Sequence, residues 1–266
     1  MAERPTTLTL TTDFGTADHF IGVMKGIVLG INPWAAIVDI THAVPAQDIA
    51  AGAYHLSNAW RHFPRGSVHV AVVDPGVGSN RRAIAVASGG HFFVAPDNGL
   101  LTPVLDLAEE PIREIREPAY IRAAPSPTFH GRDVFAPAGA HLSRGLRLER
   151  VGPPVDDPVR LALSSARIEG HTIHAEVLHV DGFGNVVLNV EGSHLARAGA
   201  AAGRRRLRAE VGGRAIQMLV THYAAAHGEL CFLINSDGRL EIALPGGAAA
   251  RLLGLVRGSP LDLDVG

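Results

Sequence analysis

The 266-residue chain is 47% apolar and 19% charged, with a formal net charge of −2. It is long enough to bury one large core or two modest ones, and its near-neutral charge argues against nucleic acid or a membrane surface as the main partner. No secretory h-region follows the first residues and no apolar run reaches membrane-spanning length, so the expected location is the cytoplasm.

Residues 8–12 read as a short strand ending at Asp13-Phe14-Gly15. A helix is expected over residues 18–32, because Phe20, Val23, Met24, Ile27, Val28 and Ile31 recur at helical spacing and Pro33 stops it. Residues 36–40 form the next strand, and Asp48 caps a second helix running to Arg61. Residues 67–73 are rich in β-branched and apolar residues, the composition of a strand buried on both faces. That strand ends at Asp74, where Pro75 and Gly76 force a turn and Gly78 permits positive φ. Arg81 and Arg82 follow, then strands at 83–87 and 91–95. This alternation predicts an α/β layer with a mostly parallel sheet, whose carboxyl edge is where ligands sit. No Gly-x-Gly-x-x-Gly follows the first strand, so a standard dinucleotide fingerprint is absent.

Pro96-Asp97-Asn98-Gly99 turns into a short helix over residues 100–107. A Pro-rich irregular stretch, 118–127, then delivers Phe129-His130-Gly131-Arg132-Asp133, and residues 134–143 are helical with Pro137 in the first turn. After Gly152-Pro153-Pro154 the period changes to that of hairpins. One turns at Gly170, one at Gly212-Gly213, and one at Asn235-Ser236-Asp237-Gly238. The chain is therefore divided into an α/β, Rossmann-like domain, 1–160, and a mostly antiparallel β domain, 161–266, of barrel or sandwich type. Lys25 is the single lysine, so Arg204-Arg205-Arg206-Leu207-Arg208 reads as a solvated edge and not a binding patch. Cys231, alone in the apolar run Leu230-Cys231-Phe232-Leu233-Ile234, reads as a buried inert thiol.

Polar candidates gather at strand ends and turns: Asp13, Asp18, Asp74 with Arg81, His130, Asp181 with Asn185, and Ser236. Turns collect Asp, Asn and Ser for backbone reasons alone, so each singly has a structural explanation. Parallel topology brings the strand ends bearing Asp13 and Asp74 to one edge, and His130 sits in a loop delivered nearby. Fourteen histidines invite a metal reading. His171 and His174 fall on opposite strand faces, however, and there is no His-Glu-x-x-His or Cys pair, so no metal site is assigned.

Thr12-Asp13-Phe14-Gly15, Asp74-Pro75-Gly76-Val77-Gly78-Ser79, Ala95-Pro96-Asp97-Asn98-Gly99-Leu100-Leu101, Phe129-His130-Gly131-Arg132-Asp133, Phe183-Gly184-Asn185 and Asn235-Ser236-x-Gly238 occur in this order. The series resembles the S-adenosyl-L-methionine hydroxide adenosyltransferases, relatives of the fluorinases and chlorinases. The resemblance implies an N-terminal α/β domain, a C-terminal antiparallel β-barrel, and a homotrimer with sites between subunits. It further implies hydrolysis of S-adenosylmethionine to adenosine and methionine, with no cofactor. The halogenating enzymes carry Tyr, Thr and Tyr where this chain has Asp74, Arg81 and His130, which favours hydroxide over halide. By resemblance Asp13 takes the ribose hydroxyls, Asn185 the adenine, and Asp18, Asp181 and Ser236 the methionine end. Asp237, where the fluorinase has Arg, departs from the pattern at that end.

A sulfonium leaves as a neutral thioether, so the difficulty lies in aligning and activating water. In this reading Asp74 and His130 hold that water, Arg81 fixes Asp74, and His130 is the expected proton acceptor. Three rivals stand beside it: halide-dependent adenosyl transfer, a metal-dependent hydrolase using Asp13, Asp74, His130 and Asp133, and a non-catalytic sensor of adenosine or S-adenosylmethionine.

Overall fold

The computed structural model describes residues 6–198 and 207–266, so Arg204, Arg205 and Arg206 of the arginine run lie outside the described residues. Two compact units make up the chain, Met1–Leu161 and Ala162–Gly266.

The first unit contains β1 (Thr7–Thr12), α1 (Phe20–Ile31), β2 (Ala36–Thr41), α2 (Ile49–Ala59), β3 (Val68–Val72), β4 (Ala83–Ser88), β5 (His91–Pro96), α3 (Thr102–Leu105), β6 (Arg113–Glu114) and α4 (Ala136–Ser143). Its six-stranded sheet runs β2-β1-β3-β5-β4-β6. The first four strands in that order are parallel, and β4 is antiparallel to both β5 and β6. Alternation along β3 assigns the two faces. Val68, Val70 and Val72 pack with Met24 and Val28 of α1 and Ala136 and Ala138 of α4. Ala71 and Val73 pack with Ala51, Ala53 and Leu56 of α2 and with Val104 of α3. Covered on both sides, the central strand is apolar except at His69, a buried imidazole whose Nδ1 meets the Thr9 hydroxyl at 2.8 Å.

Asp48 caps α2 by accepting the Ala51 N–H at 2.9 Å. The first helix begins at Phe20 and not at residue 18, because residues 16–19 are bends. The helix expected over 134–143 begins earlier, as a π turn at Gly131–Phe135. Pro137 has no N–H to offer the Asp133 carbonyl, which accepts the Arg122 N–H at 2.9 Å instead, while the Ala136 N–H reaches back to the Gly131 carbonyl.

The second unit contains β7 (Arg167–Glu169), β8 (Thr172–Val180), β9 (Val186–Glu191), α5 (Gly192–Ala198), β10 (Leu207–Val211), β11 (Arg214–Ile216), β12 (Met218–Leu219), β13 (Cys231–Ile234), β14 (Arg239–Ala243), α6 (Ala249–Leu253) and β15 (Pro260–Val265). Among the described residues its sheet runs β11-β10-β15-β8-β9-β14-β13-β12, with β7 on β8, and nearly closes as a barrel. Pairing is antiparallel except between β12 and β13. The strand expected to follow Gly212-Gly213 thus breaks at Gln217: β11 stays with β10, and β12 joins β13 in parallel. Two strands, β9 and β15, were outside the sequence expectation. Val186, Val187, Leu188 and Val190 of β9 are buried, and β15 alternates with Leu261, Leu263 and Val265 inward. Among the described residues no helix is long and apolar enough to cross a membrane.

Candidate active site

Strands β1 and β3 pair with Thr12 opposite Val72, so the chain leaves the sheet at Asp13 and Asp74 on the same carboxyl edge. The Asp74 side chain is only 4% exposed and faces the fork of Arg81. Arg81 Nε lies 3.0 Å from Oδ1 and 3.1 Å from Oδ2, and Nη2 lies 2.5 Å from Oδ2. The same Nη2 donates to His130 Nδ1 at 2.7 Å, and the guanidinium sits 5.2 Å over the Phe135 ring. Asp74, Arg81 and His130 therefore form one cluster with Arg81 at its centre.

The local sequence explains how the loop reaches this geometry. At Gly78 φ is +79°, and a Cβ there would stand 2.4 Å from the Pro127 carbonyl oxygen, so only glycine lets the loop lie against the segment that delivers His130. The turn after β5 grips the loop's base at both ends. Asn98 Nδ2 donates to the Val73 carbonyl at 2.8 Å. The Asp97 N–H donates to the Arg82 carbonyl at 2.9 Å, and Arg82 Nε donates to Asp97 Oδ2 at 2.8 Å. From sequence this segment was a turn and one motif of the series; its hold on the Asp74 loop is a product of the fold.

Arginine has donors and no acceptor, so His130 Nδ1 must be the acceptor of the Arg81 bond. The imidazole is then neutral and carries its proton on Nε2. Burial, and after it the Arg81 guanidinium, holds His130 below the usual imidazole range, against the opposite pull of Asp74 and Asp133. This geometry makes His130 a donor, contrary to the expectation that it accepts the water's proton.

Asp133 does not join the cluster. It is fully buried, with Arg132 donating to both oxygens at 2.7 and 2.8 Å and the Ser126 N–H donating at 2.8 Å. Its Arg132 bond, ahead of the opposing effect of burial, holds the carboxyl below the usual range. Asp74 and Asp133 are thus both engaged by guanidinium groups, and among the described residues no three His, Cys, Asp or Glu side chains gather as a metal-ligand set. Asp13 Oδ2 accepts the N–H of Gln47 at 2.7 Å, and Gln47 adopts a left-handed φ of 65° to deliver it. Asp18 is exposed in the bend ahead of α1.

In the second unit Asp181, Phe183, Asn185, Tyr223, Pro245, Gly246 and Gly247 line a cavity of about 510 Å³. Asp181 organises its rim. Oδ1 accepts the N–H groups of Phe183 and Asn185 at 2.9 and 2.8 Å, and Oδ2 accepts Asn185 Nδ2 at 2.9 Å. Gly184 permits this turn: its φ is +85°, and a Cβ would meet Ala248 at 2.6 Å. Phe183 lines the cavity and is left 81% exposed. Ser236 lies apart from the cavity lining, exposed in the turn between β13 and β14. Tyr223 and the loop Pro245-Gly246-Gly247 were not picked out from the sequence, because neither belongs to a motif with chemistry of its own.

Residues 8–152 match the N-terminal domain of the SAM hydroxide adenosyltransferases, and residues 175–262 match the C-terminal domain. A protein from Salinispora tropica named (R)-S-adenosyl-L-methionine hydrolase is 40% identical over 97% of this chain and 98% of its own. A fluorinase from an Actinoplanes species is more distant, 30% identical over 71% of this chain and 72% of its own. The crystal structure of an uncharacterized conserved protein from Thermotoga maritima superposes with a TM-score of 0.91, at 35% identity, over 97% of this chain and 99% of that one. Two domain matches in order, on an α/β unit and a β-barrel unit that each carry part of the motif series, establish that the chain belongs to the SAM hydroxide adenosyltransferase family.

Proposed function

We propose that the chain hydrolyses S-adenosyl-L-methionine to adenosine and L-methionine. The observation that carries this reading is the Asp74–Arg81–His130 cluster at the sheet edge, which offers fixed donors and a carboxylate within one small volume. An O–C5′ bond forms, the C5′–S bond breaks with its electron pair left on sulfur, and one proton of the attacking water is released. The leaving thioether is neutral, so no general acid is required. Arg81 and the Nε2–H of His130 orient the water and favour its hydroxide character as the proton leaves, before the oxygen's electron pair passes to C5′. Asp74 retains lone pairs beyond those Arg81 uses and accepts the proton. No metal or cofactor is needed, since Arg81 supplies the positive charge a Lewis acid would otherwise bring.

Asp13 takes the ribose hydroxyls, Asn185 the adenine edge, and Phe183 and Tyr223 the faces of the base. Asp18, Asp181 and Ser236 serve the methionine end, where the Asp181 carboxylate attracts a cationic chain even while it holds its turn. The assembly is a homotrimer in which one subunit supplies the water-handling set and its neighbour the nucleoside cavity, a closed head-to-tail ring.

Incubation with S-adenosylmethionine after exhaustive chelation tests the reaction, with adenosine and methionine expected in equal amounts. Lack of turnover, or 5′-chloroadenosine as the main product in chloride, would refute it. Mixed oligomers of Asp74→Ala and Asn185→Ala subunits are expected to recover part of the activity. An active monomer in solution scattering, or no complementation in verified mixed trimers, contradicts the shared site.

A further inference from the structure

Glu241 lies in β14 between Leu240 and Ile242, both of which belong to the apolar core, and it is itself only 3% exposed. Its Oε1 accepts the Tyr223 hydroxyl at 2.9 Å and its Oε2 accepts Asn235 Nδ2 at 3.3 Å. Both donors are neutral. A carboxylate so placed is costly, and an apolar side chain of the same volume is often the more stable choice. Burial pushes the Glu241 carboxyl above the usual range in spite of its two hydrogen bonds, and the charges of Asp181 and Asp237 push the same way. Core packing therefore does not account for this residue.

Its partners do. Tyr223 is a wall of the cavity that holds Asp181 and Asn185. Asn235 organises the turn that carries Ser236, its Oδ1 accepting the N–H groups of Asp237 and Arg239 at 3.0 and 3.1 Å. Those two bonds fix the amide's orientation, so Nδ2 is the atom left to face Glu241. The Tyr223 hydroxyl, its pKa pushed up to about 12 by burial and then by the Glu241 bond, remains a donor across the working range.

We infer that Glu241 is a positioning residue for the ligand cavity, holding the Tyr223 hydroxyl with one oxygen and the Ser236 turn with the other. The Tyr223 ring is thereby set as a wall before ligand enters, and the cost of ordering it is not charged to binding. The substrate assigned to the cavity rests on the hydrolase reading above.

The test uses E241M, which removes both acceptors at similar volume, together with Y223F, E241Q and the E241M/Y223F double variant. E241M and Y223F are expected to raise KM for S-adenosylmethionine and Kd for adenosine about three- to tenfold, with kcat within about twofold of wild type. The double variant is expected to be no worse than the poorer single one, because both remove the same bond. E241Q keeps an acceptor for Tyr223 and is expected to recover most of the loss. The thermal midpoint of E241M is expected to equal or exceed that of wild type, an outcome a purely structural role does not give. Unchanged KM and Kd in E241M and Y223F overturn the inference, as does a rise in both matched by a fall in the midpoint. If E241M fails to fold, Y223F and E241Q decide the matter alone. A wild-type chain that binds adenosine but releases none from S-adenosylmethionine overturns the hydrolase reading, while the adenosine titration still decides the role of Glu241. A chain that does not bind adenosine overturns both.

Discussion

Buried acids in the α/β unit face guanidinium groups: Asp74 meets Arg81, Asp97 meets Arg82, and Asp133 meets Arg132. In the β unit the buried Glu241 meets, among the described residues, a phenol and an amide and no guanidinium. The carboxyl titrations divide the same way. Asp39, Asp133 and Asp157 are displaced downward in the first unit, where burial also lowers His69, His91, His130 and His141 and carboxylate partners raise Arg82 and Arg132. In the second, Tyr223, Cys231 and Glu241 are displaced upward. The contrast suits a division of labour. Activating water needs fixed charge already in place, whereas seating a nucleoside needs a shaped apolar wall with a few neutral hydrogen bonds.

The most severe way to break this contrast is to remove the cation from the first unit. Arg81→Ala strips Asp74 and His130 of their common partner and is expected to lower kcat about 10³-fold or more, while adenosine affinity stays within about threefold. Arg81→Lys is not expected to rescue it, because a point charge cannot serve a carboxylate and an imidazole in the fork's geometry. Single-turnover kinetics beside calorimetry separate the two effects, and equal losses in both would place Arg81 on the nucleoside instead.

Asp13→Ala inverts that pattern within the same unit. Losing hydrogen bonds to a charged group, each worth about 1.5–3 kcal/mol, is expected to weaken adenosine binding about ten- to a hundredfold with a smaller change in kcat. Unchanged affinity in calorimetry removes Asp13 from the ribose.

The smallest effect, and the one that sharpens the comparison most directly, is that of pH on stability. Burial and the neighbouring His91 lower His69 to about 3, from 6.5. Between those values the unfolded chain binds more protons than the folded one, so the first unit loses stability as pH falls below 6.5. At pH 5 His69 alone accounts for about 2 kcal/mol. Glu241 has the opposite sign: its folded value lies above 4.5, so its penalty lessens as pH falls from neutrality. Hydrogen exchange on the whole chain, corrected for intrinsic rates, is expected to show protection falling between pH 7 and pH 5 in the α/β unit only. Parallel losses in both units would show that the shifts do not divide as described.

Local chemistry made much of this molecule legible. A strand covered on both faces is rich in apolar residues, which marked β3 despite its buried His69, and Asp48 marked the start of α2 because a helix leaves its first N–H groups unpaired. Asp13, Asp74, Arg81 and His130 were legible because strand ends and glycine turns betray themselves over a few residues. Other features depend on partners that no local pattern joins. The π turn at Gly131–Phe135 places His130 within reach of a guanidinium 49 positions away, and that contact alone decides which imidazole nitrogen keeps the proton. Strand β12 turns to parallel pairing because β13 offers it an edge. Asn98 reaches back to Val73, and Glu241 joins Tyr223 to Asn235, through distances that exist only once the sheets have formed. Periodicity is a property of neighbouring residues, so sequence by itself determined most elements of the α/β unit and the hairpins of the β unit, though not β9, β15 or the π turn. Proton placement and the support of the cavity are properties of side chains brought together from afar, and only the tertiary structure decided those.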